Sequence, residues 1–262
     1  MGVLGGLLLI VAIVLFFVQR HYRLKLRSLK LATSSTTADL HYLQQQVAQE
    51  IGSGSLREYV KVSGQIVADQ PLISALKQVP CVHYRMRVSR EYEEDVSETD
   101  SEGHTRWRTE RRSTTISSNS QTIPFRLRDR YGEIEVDPRG ADIETIQVLD
   151  EFRPANNTAR LAFGSFQVNV GSLTFGSGNT IGYRYQEWIT PVDRQVLVVG
   201  MASDQTGTLR IERPTAKRQK FFVSLKPEDS LSQDTSRAVL YSTTGAAACG
   251  GLGVLLILLA LL

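Results

Sequence analysis

Cys81 and His83 are the one cysteine and histidine that lie close together in the chain. On a strand, residues two apart share a face, so the pair has the elements of a thiol nucleophile beside a base. Neither an orienting partner nor an oxyanion donor accompanies them, and ordinary packing accounts for both. Asp129 and Asp137 flank a hairpin signal, and turn chemistry explains them better than paired-acid catalysis. Gly176-Ser177-Gly178 lacks the lysine and the spacing of a phosphate loop. Glu187-Trp188 is the most unusual adjacent pair; Trp188 is expected to anchor a core while Glu187 stays wet. The two cysteines (Cys81, Cys249) and four histidines (His21, His41, His83, His104) are scattered and never at C-x-x-C spacing. No catalytic set, no cofactor site and no metal site is therefore expected.

Arginines at 85–90, 106–112 and 126–130 alternate with tyrosine, tryptophan and phenylalanine, as on nucleic-acid-binding barrel faces. The same alternation is what any sheet with one wet face requires. Acidic residues (27) nearly match basic ones (30), which weakens a phosphate-binding field and disfavours a nucleic-acid partner. A protein partner or self-association is the favoured expectation, with a small ligand left open.

The elements that would position these residues are framed by two apolar runs. Gly2 to Val18 carries no charge and, with Gln19, Arg20, Tyr22 and Arg23 snorkelling, is long enough to cross a hydrocarbon core. Positive charge follows this run rather than preceding it, and no small-residue cleavage site comes directly after, which argues for an uncleaved anchor over a signal peptide. The second run, 238–262, is rich in small residues at Gly245, Ala246, Ala247, Ala248, Gly250, Gly251 and Gly253, suited to packing on the first anchor or on another copy. Arg20, Arg23, Lys25, Arg27 and Lys30 follow the first run, and Lys217, Arg218, Lys220, Lys226 and Arg237 precede the second. The positive-inside rule then puts the middle domain in the cytoplasm and both chain ends outside. A disulfide between Cys81 in the domain and Cys249 in an apolar helix is geometrically disfavoured.

Between the anchors, 20–55 reads as a basic juxtamembrane segment followed by an amphipathic helix. Thr36 and Asp39 stand at capping-box spacing, Leu40, Leu43, Val47 and Ile51 form one stripe, and Gly52 closes it. From Arg57 the period changes to two. Strands are expected at 59–67, with Gly64 at a bulge or bend, at 81–92, as a pair within 123–136, and at 182–190, 195–202, 207–213 and 220–225. Tyr84, Met86 and Val88 face one way in the second of these, Arg85 and Arg87 the other. The acidic-then-basic stretch 91–112 reads as an exposed hairpin or loop around Gly103. The Gly/Ser/Thr/Asn-rich stretch 153–180 reads as a loop whose Phe163, Phe166 and Phe175 tuck onto a barrel, with dipping into the membrane surface as the alternative. The expected fold class is mainly β: a single barrel or sandwich-like domain over 56–232, OB-like in strand number, flanked by transmembrane helices at 2–19 and 238–262.

Three segments carry a family resemblance. They are Pro71-Leu72-Ile73-Ser74 with Pro80-Cys81-Val82-His83-Tyr84-Arg85; Pro124-Phe125-Arg126-Leu127-Arg128-Asp129 with Gly132, Val136-Asp137-Pro138 and Gly140-Ala141; and Gly182-Tyr183-Arg184-Tyr185-Gln186-Glu187-Trp188-Ile189 leading to Val196-Leu197-Val198-Val199-Gly200. Their order and spacing, with both anchors, resemble the GIDE family, whose domain is called "beside a membrane" and lies between two membrane helices. The resemblance covers the chain from end to end. Eukaryotic members include mitochondrial and chloroplast RING-type E3 ubiquitin ligases; shorter prokaryotic members end at the second helix, as this chain does. A RING holds two zinc ions with four ligands each, and the cysteines and histidines present here cannot supply one. The two anchors and the lack of a catalytic set lead us to expect a membrane-tethered, non-catalytic interaction or scaffold module; the resemblance implies ubiquitin transfer as an alternative, and the strand pattern an OB-like nucleic-acid or ligand binder as another.

Overall fold

The structure is a computed structural model that describes residues 2–99, 104–155, 160–169, 178–216 and 218–261. In chain order its elements begin with α1 (Gly2–Leu31), β1 (Thr33–Ser34), α2 (Thr37–Glu50), β2 (Arg57–Val67), β3 (Leu72–Ile73), β4 (Pro80–Thr99) and β5 (Thr105–Thr122). They continue with β6 (Phe125–Arg128), β7 (Glu133–Val136), β8 (Asp142–Ile143), β9 (Ile146–Pro154), β10 (Arg160–Phe163) and β11 (Phe166–Asn169). Last come β12 (Asn179–Pro191), β13 (Gln195–Ser203), β14 (Arg210–Glu212), β15 (Phe222–Ser224) and α3 (Glu228–Leu261). The chain is mainly β with a long apolar helix at each end, as the residue pattern led us to expect. The 56–232 stretch contributes to two compact units, where the sequence reading treats it as one domain.

The first unit takes residues up to Gln65, Arg126–Asp142 and Gln195 onward. Strands β2, β6, β7, β14 and β13 pair in that order, and β13 pairs back onto β2, closing a five-stranded barrel. The apolar run Val196-Leu197-Val198-Val199 is buried throughout, as a strand covered on both faces must be. Leu197 and Val199 pack outward with Leu29 of α1, Ala32 just after it, Phe222 of β15 and Leu231 of α3. Residues of the opposite parity, Val196 and Val198, are left for the barrel interior. Against β13 Gly64 marks no bulge: the β2–β13 register runs unbroken from Arg57 to Gln65. Its role is close approach, since a Cβ there would stand 2.6 Å from the Arg128 carbonyl oxygen and 2.9 Å from Leu127 Cγ.

Helix α1 runs without a break through the apolar stretch and the basic segment after it. It packs along α3 through small residues. A Cβ on Gly5 would come 2.7 Å from Ile257 Cγ1, and one on Gly253 would come 3.1 Å from the Gly5 carbonyl. Gln19 Nε2 donates to Thr243 Oγ1 at the polar end of this seam. Both helices are long and apolar enough to cross a membrane. Helix α2 has its capping box as expected: Thr36 Oγ1 accepts from Asp39 N at 3.2 Å, and Asp39 accepts from Thr36 N at 2.8 Å. It docks through Leu40, which is 1% exposed, while Ile51 at the far end of the stripe is 73% exposed.

The second unit takes Ile66–Phe125 and Ile143–Arg194. It is an open antiparallel sheet in the order β3-β4-β12-β9, with β5 pairing β4. One face buries Tyr84, Met86, Val88, Leu149, Tyr183, Tyr185 and Ile189. The opposite parity places Arg85 and Arg87 in solvent, so the period-two reading holds over 84–88; it breaks where Val88, Ser89, Arg90 and Glu91 are all buried, at a shift in the β4–β5 register between Val88 and Ser89. Within the stretch read as a loop over 153–180, β10 and β11 form a hairpin. Its Phe163 and Phe166 pack on this open sheet rather than on a barrel, with the Phe163 ring 4.9 Å from that of Tyr185. Phe175 lies outside the described residues. Residues 91–99 and 105–113 pair as the outer part of β4 and β5, so the opposed charge blocks face one another across strands; Gly103, where a turn is expected, lies outside the described residues.

Candidate functional site

Cys81 and His83 do not form a pair. The β4–β12 register is interrupted between His83 and Cys81, so Cys81 joins the same core cluster as Tyr84, three residues on. Burial, reinforced by the nearby Glu187 carboxylate, pushes the Cys81 thiol up to about 11, which keeps it protonated and unreactive. His83 is held below its usual value chiefly by burial, and its Nδ1 lies 2.7 Å from Thr122 Oγ1. A neutral imidazole bonded to a threonine and a protonated thiol facing the core do not make a nucleophile and its base.

Glu187 and Trp188 exchange the places expected for them. Glu187 is fully buried and Trp188 is half-buried. The Glu187 carboxylate accepts from Ser74 Oγ at 2.9 Å, Leu76 N at 2.7 Å and Lys77 N at 2.7 Å. These donors belong to the turn between β3 and β4, where Gln78 takes φ of 60°. The carboxylate therefore fastens that turn, satisfying backbone amides that the sheet leaves unpaired. Trp188 lies on the other face with the Arg85 guanidinium 5.0 Å from its ring. A signal for this was present: Tyr183, Tyr185, Glu187 and Ile189 share one parity on β12, so the alternation itself places Glu187 inward.

The wet face of the open sheet carries a charged row across four strands. Arg111 of β5 and Arg184 of β12 both grip Glu91 of β4, at 2.5 and 2.6 Å, and Arg184 reaches Asp150 of β9 at 2.8 Å. Burial pushes the Glu91 carboxyl up, but its hydrogen bonds and charge contacts with Arg184 and Arg111 hold it below its ordinary value. Arg111 and Arg184 also stack against Phe152, at 5.6 and 5.8 Å from its ring. Sequence reasoning noted the acidic-then-basic stretch but not that Arg111 and Arg184 converge on Glu91, because cross-strand neighbours are invisible until register is known.

Most of the arginines that suggested nucleic acid are engaged in the same way. Arg112 pairs with Glu94 and Glu110, and Arg126 and Arg128 with Glu133. Arg90 donates to Thr180 Oγ1 and to the Gly178 carbonyl, at 2.6 and 2.7 Å. A phosphate would have to displace an internal acceptor at each of these positions.

Asp129 is a turn residue that also reaches a helix. It accepts from Tyr131 N and Gly132 N at 2.8 and 3.0 Å, and from Thr37 N and Oγ1 of α2 at 2.8 and 2.6 Å. Burial raises its carboxyl, and these donors more than offset that, holding it below the usual range. Asp137 is gripped by Arg139. Gly176 and Ser177 lie outside the described residues. Among the described residues no group of three or more His, Cys, Asp or Glu is placed to hold a metal ion.

The feature with room for a partner is the outer edge of β5. Among the described residues this 18-residue strand pairs only with β4, and it is exposed along nearly its whole length. It carries Trp107, which is 72% exposed. An unpaired strand edge offers a row of backbone donors and acceptors to an added strand.

A family model described as GIDE, E3 ubiquitin ligase, matches residues 93–259. No curated protein and no solved structure matches the chain.

Proposed function

The chain belongs to the GIDE family, and from that premise we propose that it is a membrane-anchored interaction module rather than an enzyme. The observation that carries this is the pairing of α1 with α3. Two apolar helices from opposite ends of the chain pack through Gly5, Gly253 and the Gln19–Thr243 bond, and α1 continues into contact with the barrel at Leu29 and Ala32. Such a pair fixes the barrel at a bilayer surface. The basic residues flanking the two helices favour the cytoplasmic side for the domain and the opposite side for both chain ends. The partner we propose is a protein that adds a strand to β5, self-association being the other form of the same contact.

The description of the family supports a second reading, a part in ubiquitin transfer. Within these 262 residues two cysteines and four histidines offer no zinc-binding RING, so such a part would be recruitment for a transferase rather than transfer itself.

The test uses the full chain in native membranes, with a photo-crosslinker placed at Thr115 or Ser118 on β5 and, as control, at Tyr131. A discrete adduct from β5 and none from the control supports the module. Adducts from Tyr131 alone would move the contact off β5, and steady ubiquitin transfer by the purified chain with an activating and a conjugating enzyme would overturn the non-catalytic reading.

A further inference from the structure

The barrel unit carries a cleft of about 670 Å³, lined by residues 140–142 and by Arg213 to Ala216 and Gln219 to Phe221 on the chain beyond β14. Its size lies within the few hundred to roughly 1,000 Å³ of ordinary small-ligand sites. Two neighbouring cations are neutralised: Arg139 pairs with Asp137, and Arg210 with Glu212. Arg213 and Lys220 are different. Neither has a carboxylate partner among the described residues, and both face the cleft. The Arg213 side chain lies across Gly140, where a Cβ would come 3.0 Å from its Nη1.

Lys220 is held in place by its main chain. Its N–H donates to Ser28 Oγ of α1 at 2.9 Å, and its carbonyl accepts from Tyr59 OH of β2 at 2.7 Å. Its ammonium remains uncommitted. The walls are tied in the same manner, by Asp142 N to the Phe221 carbonyl at 2.9 Å and Gln219 N to the Ala216 carbonyl at 3.0 Å. Gln219 Oε1 is buried, and among the described residues no donor reaches it. A buried acceptor without a donor costs about 1–3 kcal/mol, so this position favours a ligand that brings an O–H or N–H to it. The Asp142 side chain, exposed at the rim, is a second acceptor.

Two unpaired cations beside two acceptors require a ligand that is an anion at one end and a hydrogen-bond donor at the other. We propose that this cleft binds a phosphorylated polyol, its phosphate held by Arg213 and Lys220 and its hydroxyls donating to Gln219 Oε1 and the Asp142 carboxylate. An acidic peptide fits less well, because its donors are main-chain N–H groups spaced along the chain rather than hydroxyls on the same small body as the anion. The chemistry is shared by a free sugar phosphate and by the headgroup of a phosphoinositide-type lipid. Ser28, which holds Lys220, is ten residues beyond Val18, roughly 15 Å along the helix from the apolar run. A large headgroup reaches that height and a compact one does not. The inference stands on the cleft alone and does not depend on the strand-adding partner of β5.

The test uses the full chain in nanodiscs of phosphatidylcholine, titrated calorimetrically with inositol 1-phosphate, glucose 6-phosphate and inorganic phosphate. A parallel set of nanodiscs containing phosphatidylinositol 4-phosphate is read by native mass spectrometry for retained lipid. The sugar or inositol phosphate should bind at least tenfold more tightly than inorganic phosphate. R213Q combined with K220Q should weaken that binding at least tenfold. Q219L should remove most of the preference over inorganic phosphate while leaving inorganic phosphate itself unchanged. Binding of soluble esters in phosphatidylcholine discs identifies a free ligand; lipid retention that R213Q/K220Q abolishes, without soluble binding, identifies a headgroup. Absence of both, or binding indifferent to R213Q/K220Q in protein whose thermal melt is unchanged, overturns the proposal. Equal affinity for inorganic phosphate and the esters overturns it as well.

Discussion

Strand β13 of the barrel is paired along both edges, by β2 on one side and by β14 and β15 on the other, whereas β5 of the open sheet is paired along one. The barrel removes its edges by closure, and its integrity then rests on how closely backbones approach, as at Gly64. The open sheet cannot close. It seals its interior with a hairpin lid, fastens the β3–β4 turn on the buried Glu187, and ties its wet face together with the Arg111–Glu91–Arg184–Asp150 row. One unit is therefore governed by sterics and the other by polar side chains, and among the described residues β5 keeps one edge that no strand pairs. Both tryptophans, Trp107 and Trp188, lie in the open-sheet unit, so tryptophan fluorescence reports that unit alone.

The contrast is tested most severely at Glu187. Glu187→Ala orphans three donors in a buried turn, and a loss of about 3 kcal/mol or more is expected. The tryptophan-detected melt of the full chain in detergent should fall by roughly 10 °C or more; an unchanged melt would remove the carboxylate from its fastening role. Next in size, Gly64→Val drives a side chain into the Arg128 carbonyl and should cost about 1–3 kcal/mol. Hydrogen exchange should then rise in β2 and β6 with the tryptophan melt unmoved. If both signals shift together, the two units do not unfold independently and the comparison fails.

At the next level, Thr36→Ala removes the cap of α2 and should cost about 1 kcal/mol, read as faster exchange confined to 37–50. The smallest effect is that of the ion row. Arg111→Gln should cost about 0.5 kcal/mol, and added salt should mimic it, because Arg111 is largely solvent-exposed. Its pH dependence has a definite sign. The Glu91 carboxyl is depressed in the fold relative to its ordinary 4.5, so its contribution is complete above that pH and is lost as pH falls through the lowered folded value. Glu91→Gln should flatten this acid step in the tryptophan signal. A step that survives the substitution would assign it to other carboxylates.

Much of this molecule can be read from local pattern. The apolar runs, the capping box at Thr36 and Asp39, the alternation along β4 and the hairpin through Asp129 and Gly132 each depend on residues within one or two turns of chain, where periodicity and turn chemistry act directly. The pattern even carried Glu187, whose parity with Tyr183 and Tyr185 outweighs the expectation that a carboxylate stays wet. Register and closure are another matter. Whether Cys81 shares a face with His83 turned on an irregularity in pairing with β12, which no local pattern encodes. That Phe163 covers an open sheet, that Arg184 bridges Glu91 to Asp150, and that residues 140–142 face the segment carrying Arg213 and Lys220 all follow from parts of the chain distant in sequence lying side by side. Hydrophobic periodicity states which face of an element is buried; it does not state against what, and both the free edge of β5 and the cleft beyond β14 exist only once that second question has an answer.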